Sequence, residues 1–307
     1  MLINDSYMKK NSFVYSIIIP HYNIPELLVR CLNSIPVCKD IQVIVIDDCS
    51  PGADKYKEQY PELSRPYLEF YSTSRGGSAG RARNIGLQHA KGKWLIFADS
   101  DDIFTEGFIE YLSYYADSNF DIVFFDVESR DTITLELTND SKSSSEFLHK
   151  VDFSDKQKSE DFRFNHEVPW GKMIRHDLVI KNQIRFDEVL ASNDTMFMLK
   201  SLFFADRITF LDKKLYCWMI RQDSLVHATP KLAVVMSRYE VDLIRNRFCI
   251  DNGYRKYTRS VANWLLMIIR FGIKPFFKAV SLLFKYRINP FTKCSNWVGT
   301  IRGRWEL

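Results

Sequence analysis

Lys93-Trp94-Leu95-Ile96-Phe97-Ala98-Asp99-Ser100-Asp101-Asp102 is the stretch on which the reading of this chain turns. Trp94 to Ala98 is uncharged and mostly bulky, the pattern of a strand buried on both faces, and three carboxylates follow directly at its end. In open α/β sheets the ligand crevice lies beyond the carboxyl ends of the strands, so Asp99, Asp101 and Asp102 fall where chemistry is expected. Alternation along an extended chain points Asp99 and Asp101 the same way and Asp102 elsewhere. Carboxylate oxygens at this spacing suit Mg²⁺ or Mn²⁺, cations that take their remaining ligands from substrate phosphate and water. The competing reading is helix capping, because Asp-Asp is good start chemistry for a helix over 103–115.

Working outward, the same grammar recurs. Ile41-Gln42-Val43-Ile44-Val45-Ile46 is a second buried strand, and it too ends in paired acids, Asp47 and Asp48. Acids at two neighbouring strand ends point to one shared polar ligand, and a carboxylate accepts from the N–H and hydroxyl groups that a nucleotide offers. Phe13 to Ile19 is a first strand, ended by Pro20, which cannot donate to a sheet ladder. His21-Tyr22-Asn23 follows as a loop in which an aromatic ring can stack on a base; ordinary turn chemistry is the alternative. A helix is expected over 25–34 and a third strand over 67–71. The glycine-rich run Ser74 to Gly86 then opens a helix over 78–90, and its free N–H groups beside Arg75, Arg81 and Arg83 predict an anion-binding surface. A strand over 121–127 follows. Residues 128–164 are polar and read as loops and strand edges. The alternation predicts a mostly parallel sheet flanked by helices.

Hydrophobic content of 46% and charged content of 26% exclude a disordered or wholly membrane-embedded chain. The six cysteines lack metal-ligand spacing, and no secretory signal precedes the first strand, so reduced thiols in the cytoplasm are expected. Residues 252–307 hold 11 Lys or Arg and one acid, a charge of +10, which leaves −6 for the remainder of a chain of net charge +4. A mildly acidic body with a basic tail predicts an anionic surface as partner.

Four motifs in order, Pro20-His21-Tyr22-Asn23, Asp47-Asp48-Cys49-Ser50, Gly80-Arg81-Ala82-Arg83-Asn84-Ile85-Gly86 and Asp99-Ser100-Asp101-Asp102, resemble the family 2 glycosyltransferases. The resemblance continues through Pro169-Trp170-Gly171-Lys172-Met173, Arg185-Phe186-Asp187-Glu188, Asn193-Asp194-Thr195 and Tyr216 to Ser224, which look like acceptor-side elements of the branch that builds bacterial surface polysaccharides such as capsules. It implies a GT-A fold, a Rossmann-like nucleotide-binding mixed sheet flanked by helices, with a nucleotide diphosphate sugar as donor, most often a UDP-sugar, and inverting transfer. Carried over by position, Pro20, Tyr22, Asn23, Asp47 and Asp48 would line the donor's base and ribose. Arg83 would lie near the diphosphate or sugar, Asp99 near ribose or sugar hydroxyls, and Asp101 would ligate the metal, Mn²⁺ or Mg²⁺. An inverting displacement also needs a base for the acceptor hydroxyl. The family has Glu-Asp at a helix start; here the pair is Asn193-Asp194, so Asp194 is the candidate base and the Glu is missing. Trp170 would offer a sugar platform, with a core tryptophan as the alternative. Lys172 and Arg221 would meet the diphosphate or an anionic acceptor, unless they are plain surface cations. His166, His176 and His227 read as polar surface residues, His227 with a donor-side role as a further option.

The expected organisation is a catalytic domain over 1–228, with a donor part over 13–127 and an acceptor part over 128–228, and a basic helical extension over 229–307. A helix is expected over 231–248. The uncharged run 260–269 is shorter than the ~20 apolar residues that cross a bilayer. Aromatic and aliphatic residues then alternate with Lys274, Lys278, Lys285 and Arg287, the composition of a segment lying in a membrane interface. This points to a membrane surface and a glycan or lipid-linked acceptor rather than nucleic acid, with the protein peripheral on the inner face of the cell membrane. The alternative is a helical hairpin packed on the catalytic domain or on a second subunit in a homo-oligomer. Two other functions fit the sequence: a nucleotidyltransferase, and a non-catalytic nucleotide-sugar-binding partner of another transferase.

Overall fold

Strands β1 (Phe13–His21), β2 (Ile41–Asp47), β3 (Leu68–Ser72) and β4 (Gly92–Phe97) run parallel, linked by helices α1 (Pro25–Asn33), α2 (Tyr56–Gln59) and α3 (Ala79–His89). In this computed structural model residues 13–221 and 231–290 are described. His227, the expected boundary at 228/229, the leading residues 1–12 and the terminal 291–307 lie outside them. The chain continues through β5 (Ile103–Phe104), α4 (Phe108–Ser113), β6 (Ile122–Asp131), α5 (Lys142–Lys150), α6 (Lys156–Asn165), β7 (Lys172–Arg175), α7 (His176–Lys181), α8 (Thr195–Phe204) and β8 (Ile208–Ile220). These complete an eight-stranded mixed sheet in the order β3-β2-β1-β4-β7-β6-β8-β5.

The runs that read as doubly buried strands are so because helices cover both faces. Tyr15, Ile17 and Ile19 of β1 pack with Leu28, Cys31 and Leu32 of α1 and with Phe108 and Leu112 of α4. Ile18, one residue out of phase, packs on the other face with Ala82 of α3 and with Phe197 and Met198 of α8. Gly86 lets α3 approach, since a Cβ there would stand 2.4 Å from Ile18 Cγ2. β7 is antiparallel to both β4 and β6, so the sheet is mixed rather than mostly parallel, yet the carboxyl ends of β1, β2, β4 and β6 share one edge.

Three expectations differ from the structure. β1 runs through Pro20 to His21, because its pairing with β4 has already stopped at Ile18 while that with β2 continues. The helix expected from 103 begins at Phe108, because Ile103 and Phe104 pair with Cys217 and Tyr216 and the chain then turns at Gly107 with φ of +71°. Residues 128–164 are no loop excursion: β6 extends to Asp131, and α5 and α6 bury Leu148, Phe162 and Phe164.

Beyond the sheet, α9 (Leu232–Asp251) packs on α8, and a hairpin of α10 (Ala262–Ile269) and α11 (Ile273–Tyr286) packs on α9. The buried Arg245 fastens α9 to the sheet domain by donating to Phe164 O at 2.5 Å, and holds the turn after α9 by donating to Tyr257 O at 2.7 Å. Arg259 pairs with Glu167 and with Asp242 at 3.5 Å. Among the described residues no helix is long and apolar enough to cross a membrane.

Candidate active site

The two strand-end acid pairs sit on one edge and behave differently. Asp47 is fully buried. One of its oxygens takes His21 Nδ1 at 2.9 Å and the Ser50 hydroxyl at 2.5 Å, and the other takes Ser50 N–H at 2.8 Å. Ile24 N–H donates to His21 Nε2 at 3.2 Å, which assigns the ring proton to Nδ1. Burial alone would raise the Asp47 carboxyl, but these hydrogen bonds outweigh it and hold it below the usual range. Asp48 is also inward: it accepts from Gly77 N–H at 2.7 Å, Ser78 N–H at 2.8 Å and the Thr73 hydroxyl at 3.1 Å. The N-terminus of α3, expected to bind a ligand anion, thus already holds the chain's own carboxylate. Arg81 is turned toward Arg75 O and Glu188. What the first edge offers outward is Tyr22, 58% exposed, beside Asn23, whose φ of +52° is held by its N–H on Ser50 Oγ at 2.7 Å.

The second pair faces cations. Arg83, on α3, donates to Asp99 Oδ1 at 2.7 Å and to Asn193 Oδ1 at 2.8 Å, while its Nε is buried without a protein partner. Arg221 pairs with Asp101 at 3.0 Å, and its Nε is likewise unpartnered. Burial and the neighbouring Asp99 raise the Asp101 carboxyl; Arg221 pulls it back. Asp102 turns into the core, accepting from the Tyr216 hydroxyl at 2.6 Å and Met219 N–H at 2.8 Å. Tyr216 in turn accepts from Asp99 N–H at 3.0 Å, and Arg30 donates to Asp101 O at 2.9 Å. The backbone of this turn is therefore held from behind, leaving the Asp99 and Asp101 carboxylates forward.

The segment leading to Asp194 is bound to α3. Asn84 accepts from Phe186 N–H and donates to Phe186 O, each at 2.9 Å, and Asp187 N–H closes the loop on Asn193 O at 3.1 Å. A Cβ on Gly80 would stand 2.1 Å from Asp187 O and 2.9 Å from Asn193 Cβ, so only glycine permits this contact. Asp194 begins α8, and its side chain makes no capping hydrogen bond there. Burial raises its carboxyl to about 6, with Arg83 opposing the rise and Glu167 and Asp99 adding to it. Asn84, Tyr216 and His21 also carry this geometry, and the sequence offers them only as members of the quoted motifs; Asn193, noted there as replacing Glu, gains a partner in Arg83.

Trp170 is nine-tenths covered and stacks on Tyr216 and Trp218, with centroids 5.7 and 6.0 Å apart. It lies in the core as the alternative held; Trp218 is the more open face of that stack. Lys172 corrects the expectation of a cation facing ligand: it is wholly buried, donates to Val168 O and Trp170 O at 2.5 and 2.6 Å, and lies over Phe124. Burial drives its pKa well down. His166 is also buried, its ring stacked on Phe162, rather than on the surface. His176 is half-buried on Gly92 O at 3.0 Å.

The forward carboxylates of Asp99 and Asp101, paired here with Arg83 and Arg221, form a hard-oxygen donor set of the chemistry a divalent cation takes. Elsewhere among the described residues Asp126, His149 and Asp212 also cluster, His149 Nε2 lying 3.4 and 3.6 Å from the carboxylates. Those are ordinary ion-pair distances, and Asp212 is mostly exposed.

The chain is similar to known proteins. Glycosyltransferase GlyA of Streptococcus pneumoniae is 27% identical over 219 residues, 68% of this chain and 31% of that protein. The uncharacterized glycosyltransferase EpsJ of Bacillus subtilis is 26% identical, over 71% of this chain and 64% of that one. The chain thus spans less than two thirds of either. GlyG of S. pneumoniae is 25% identical over 79% of this chain and 82% of its own length. The crystal structure of Staphylococcus aureus TarS 1-349 in complex with UDP-GlcNAc matches with a TM-score of 0.67 at 19% identity, covering 89% of this chain and 80% of that one. At that identity the likeness shows the fold, GT-A. Residues 16–182, more than half of the 307, match the family described as Glycosyl transferase family 2, and they include every strand-end motif built above. The chain belongs to that family.

Proposed function

We propose that the chain moves a sugar, with inversion, from a nucleotide diphosphate sugar, a UDP-sugar, to a hydroxyl of a glycan or lipid-linked acceptor in the making of a bacterial surface polysaccharide. The observation that carries this reading is the bridge Asp99–Arg83–Asn193, which sets the raised carboxyl of Asp194 across one guanidinium from the forward acids. A base must be ionised to take a proton and basic enough to hold it; a carboxyl raised to about 6 meets both needs near neutral pH.

In this reading Tyr22 covers the base, while Asp47 and Asp48 position that wall from behind rather than touching ligand. The unpartnered Nε of Arg83 and of Arg221 supply donors to the diphosphate. Asp101, with Asp99 beside it, would hold Mn²⁺ or Mg²⁺, which neutralises charge on the departing diphosphate. Asn193 takes the Arg83 hydrogen bond as a neutral acceptor, so Asp99 keeps that guanidinium's charge. The exposed part of the Trp170–Tyr216–Trp218 stack faces the acceptor. We further place the protein on the inner face of the cell membrane through its basic extension.

Melting temperature in a panel of UDP-, GDP-, CMP- and dTDP-sugars, each with and without Mn²⁺, tests the donor class, since a ligand that binds only the folded state raises it. A Mn²⁺-dependent rise with a UDP-sugar is expected. A rise without donor hydrolysis or transfer would favour a non-catalytic partner, and no rise with any nucleotide sugar would overturn the reading.

A further inference from the structure

The hairpin that follows α9 has one face committed and one bare. Inward, Ile268 of α10 and Ala279 and Leu283 of α11 pack on Val235, Tyr239 and Leu243 of α9. The inward face is fixed by Tyr239 donating to Ala279 O at 2.9 Å, Trp264 Nε1 to Asp242 at 2.7 Å and Tyr286 to Glu240 at 2.7 Å. Outward, Leu266, Ile269, Phe271, Ile273, Phe277 and Phe284 are 41 to 79% exposed within 19 consecutive residues. Ile273, Phe277 and Phe284 stand at helical spacing along one side of α11, and Lys274, Lys278 and Lys285 each follow one residue later, all exposed. Residues 252–290 contain eight Lys or Arg and no acid.

Charge selects the occupant. Lys285 is met by Glu240 at 3.2 Å, but a second copy would bring the Lys274 and Lys278 face against its like, and a neutral apolar groove would leave those two without counter-charge. An anionic bilayer accepts both halves: apolar tips enter the headgroup and acyl boundary while lysine stems run along it to lipid phosphates. We infer that the α10–α11 hairpin is an interfacial element that docks on an anionic membrane by Leu266, Ile273, Phe277 and Phe284, and that α9 holds the Asp194 side of the site toward an acceptor carried in that membrane. The link through α9 is direct: Ser237 accepts from Ala191 N–H at 3.1 Å and donates to Ala191 O at 3.0 Å, just before Asn193 and Asp194. This deepens the proposed function and rests on its acceptor side.

Sedimentation of the full chain with phosphatidylcholine vesicles, with and without phosphatidylglycerol, tests it. Binding should require phosphatidylglycerol and weaken as salt rises. Phe277→Asp with Phe284→Asp should lower it at least about tenfold, and Lys274→Glu with Lys278→Glu by a similar factor. Both variants should keep the parent's melting temperature and its shift with nucleotide sugar, which shows that fold and donor site are intact and separates failure of docking from failure of the donor reading. Equal recovery of parent and variants with vesicles overturns the inference. So does a concentration-dependent dimer that the Phe277→Asp, Phe284→Asp variant abolishes, or binding seen only after residues 291–307 are removed.

Discussion

Asp47–Asp48 and Asp99–Asp101 are written alike, as acids just beyond an apolar strand, and the fold uses them oppositely. Each of the first pair is surrounded by N–H and O–H donors of its own chain, from His21, Ser50, Thr73, Gly77 and Ser78. The second pair meets two guanidinium groups instead, Arg83 and Arg221, whose remaining Nε donors are unused. Hydrogen bonds to backbone N–H groups cannot be exchanged without unfolding a loop. An ion pair with a long side chain can be exchanged for another cation or anion. The first pair therefore belongs to the architecture of the edge, and the second is the pair free to trade partners with a ligand.

The largest effect that tests this contrast is expected at Asp194. Asp194→Asn should cut transfer about 10²–10⁴-fold, the usual worth of a general base, with the nucleotide-sugar melting shift retained; normal transfer would mean that another group takes the proton. Asp101→Asn should lower turnover by about 10²-fold or more and remove the Mn²⁺ dependence of the donor shift, with stability nearly unchanged. Asp47→Ala should show the reverse. It strands a buried His21 and Ser50, so denaturant unfolding should report a loss of about 2–3 kcal/mol while the surviving folded enzyme keeps its Mn²⁺ response.

A smaller effect concerns pH. The Asp194 carboxyl is raised from 3.8 to about 6, chiefly by burial, so the folded state gains a proton between those values. The sign follows: the ionised form costs stability above pH ~6, on the order of 3 kcal/mol, and the cost fades as pH falls toward ~4. Asp194→Asn should therefore be more stable than the parent at pH ~8 and equal to it near pH ~4, while the parent's transfer rate should decline about tenfold per unit below pH ~6. Asn193→Glu should be the mildest change. It gives Arg83 a second carboxylate and loosens its hold on Asp99, for a change in donor affinity of severalfold.

The parallel half of the sheet was legible because its strands are continuous apolar runs that leave no other assignment, and because helix starts such as Ser78 cap locally, here by accepting from Arg81 N–H at 3.3 Å. What escaped depends on partners distant in sequence. Ile103 and Phe104 become a strand only because Tyr216 and Cys217 lie alongside. Lys172 reads as a surface cation until Val168 and Trp170 turn their carbonyls to it. The helices α5 and α6 bury too few apolar residues for periodicity to announce them. At the site, residue types and order were readable, and alternation separated Asp102 from Asp99 and Asp101, but the inward turn of both Asp47 and Asp48 was not, since it is set by donors such as Gly77 N–H that carry no side-chain signal.

The contact at Gly80 has a consequence for engineering. Because α3 meets the 187–193 segment backbone to backbone there, and Asn84 grips Phe186 on both its N–H and its carbonyl, α3 and the segment leading into Asp194 are one joint. Swapping residues 186–194 alone between relatives would transplant half of that joint, and a graft that retains activity must carry Gly80 and Asn84 with it. Under the proposed function the two sides of the site are thus one mechanical unit, and a change made on either is expected to be felt by the other.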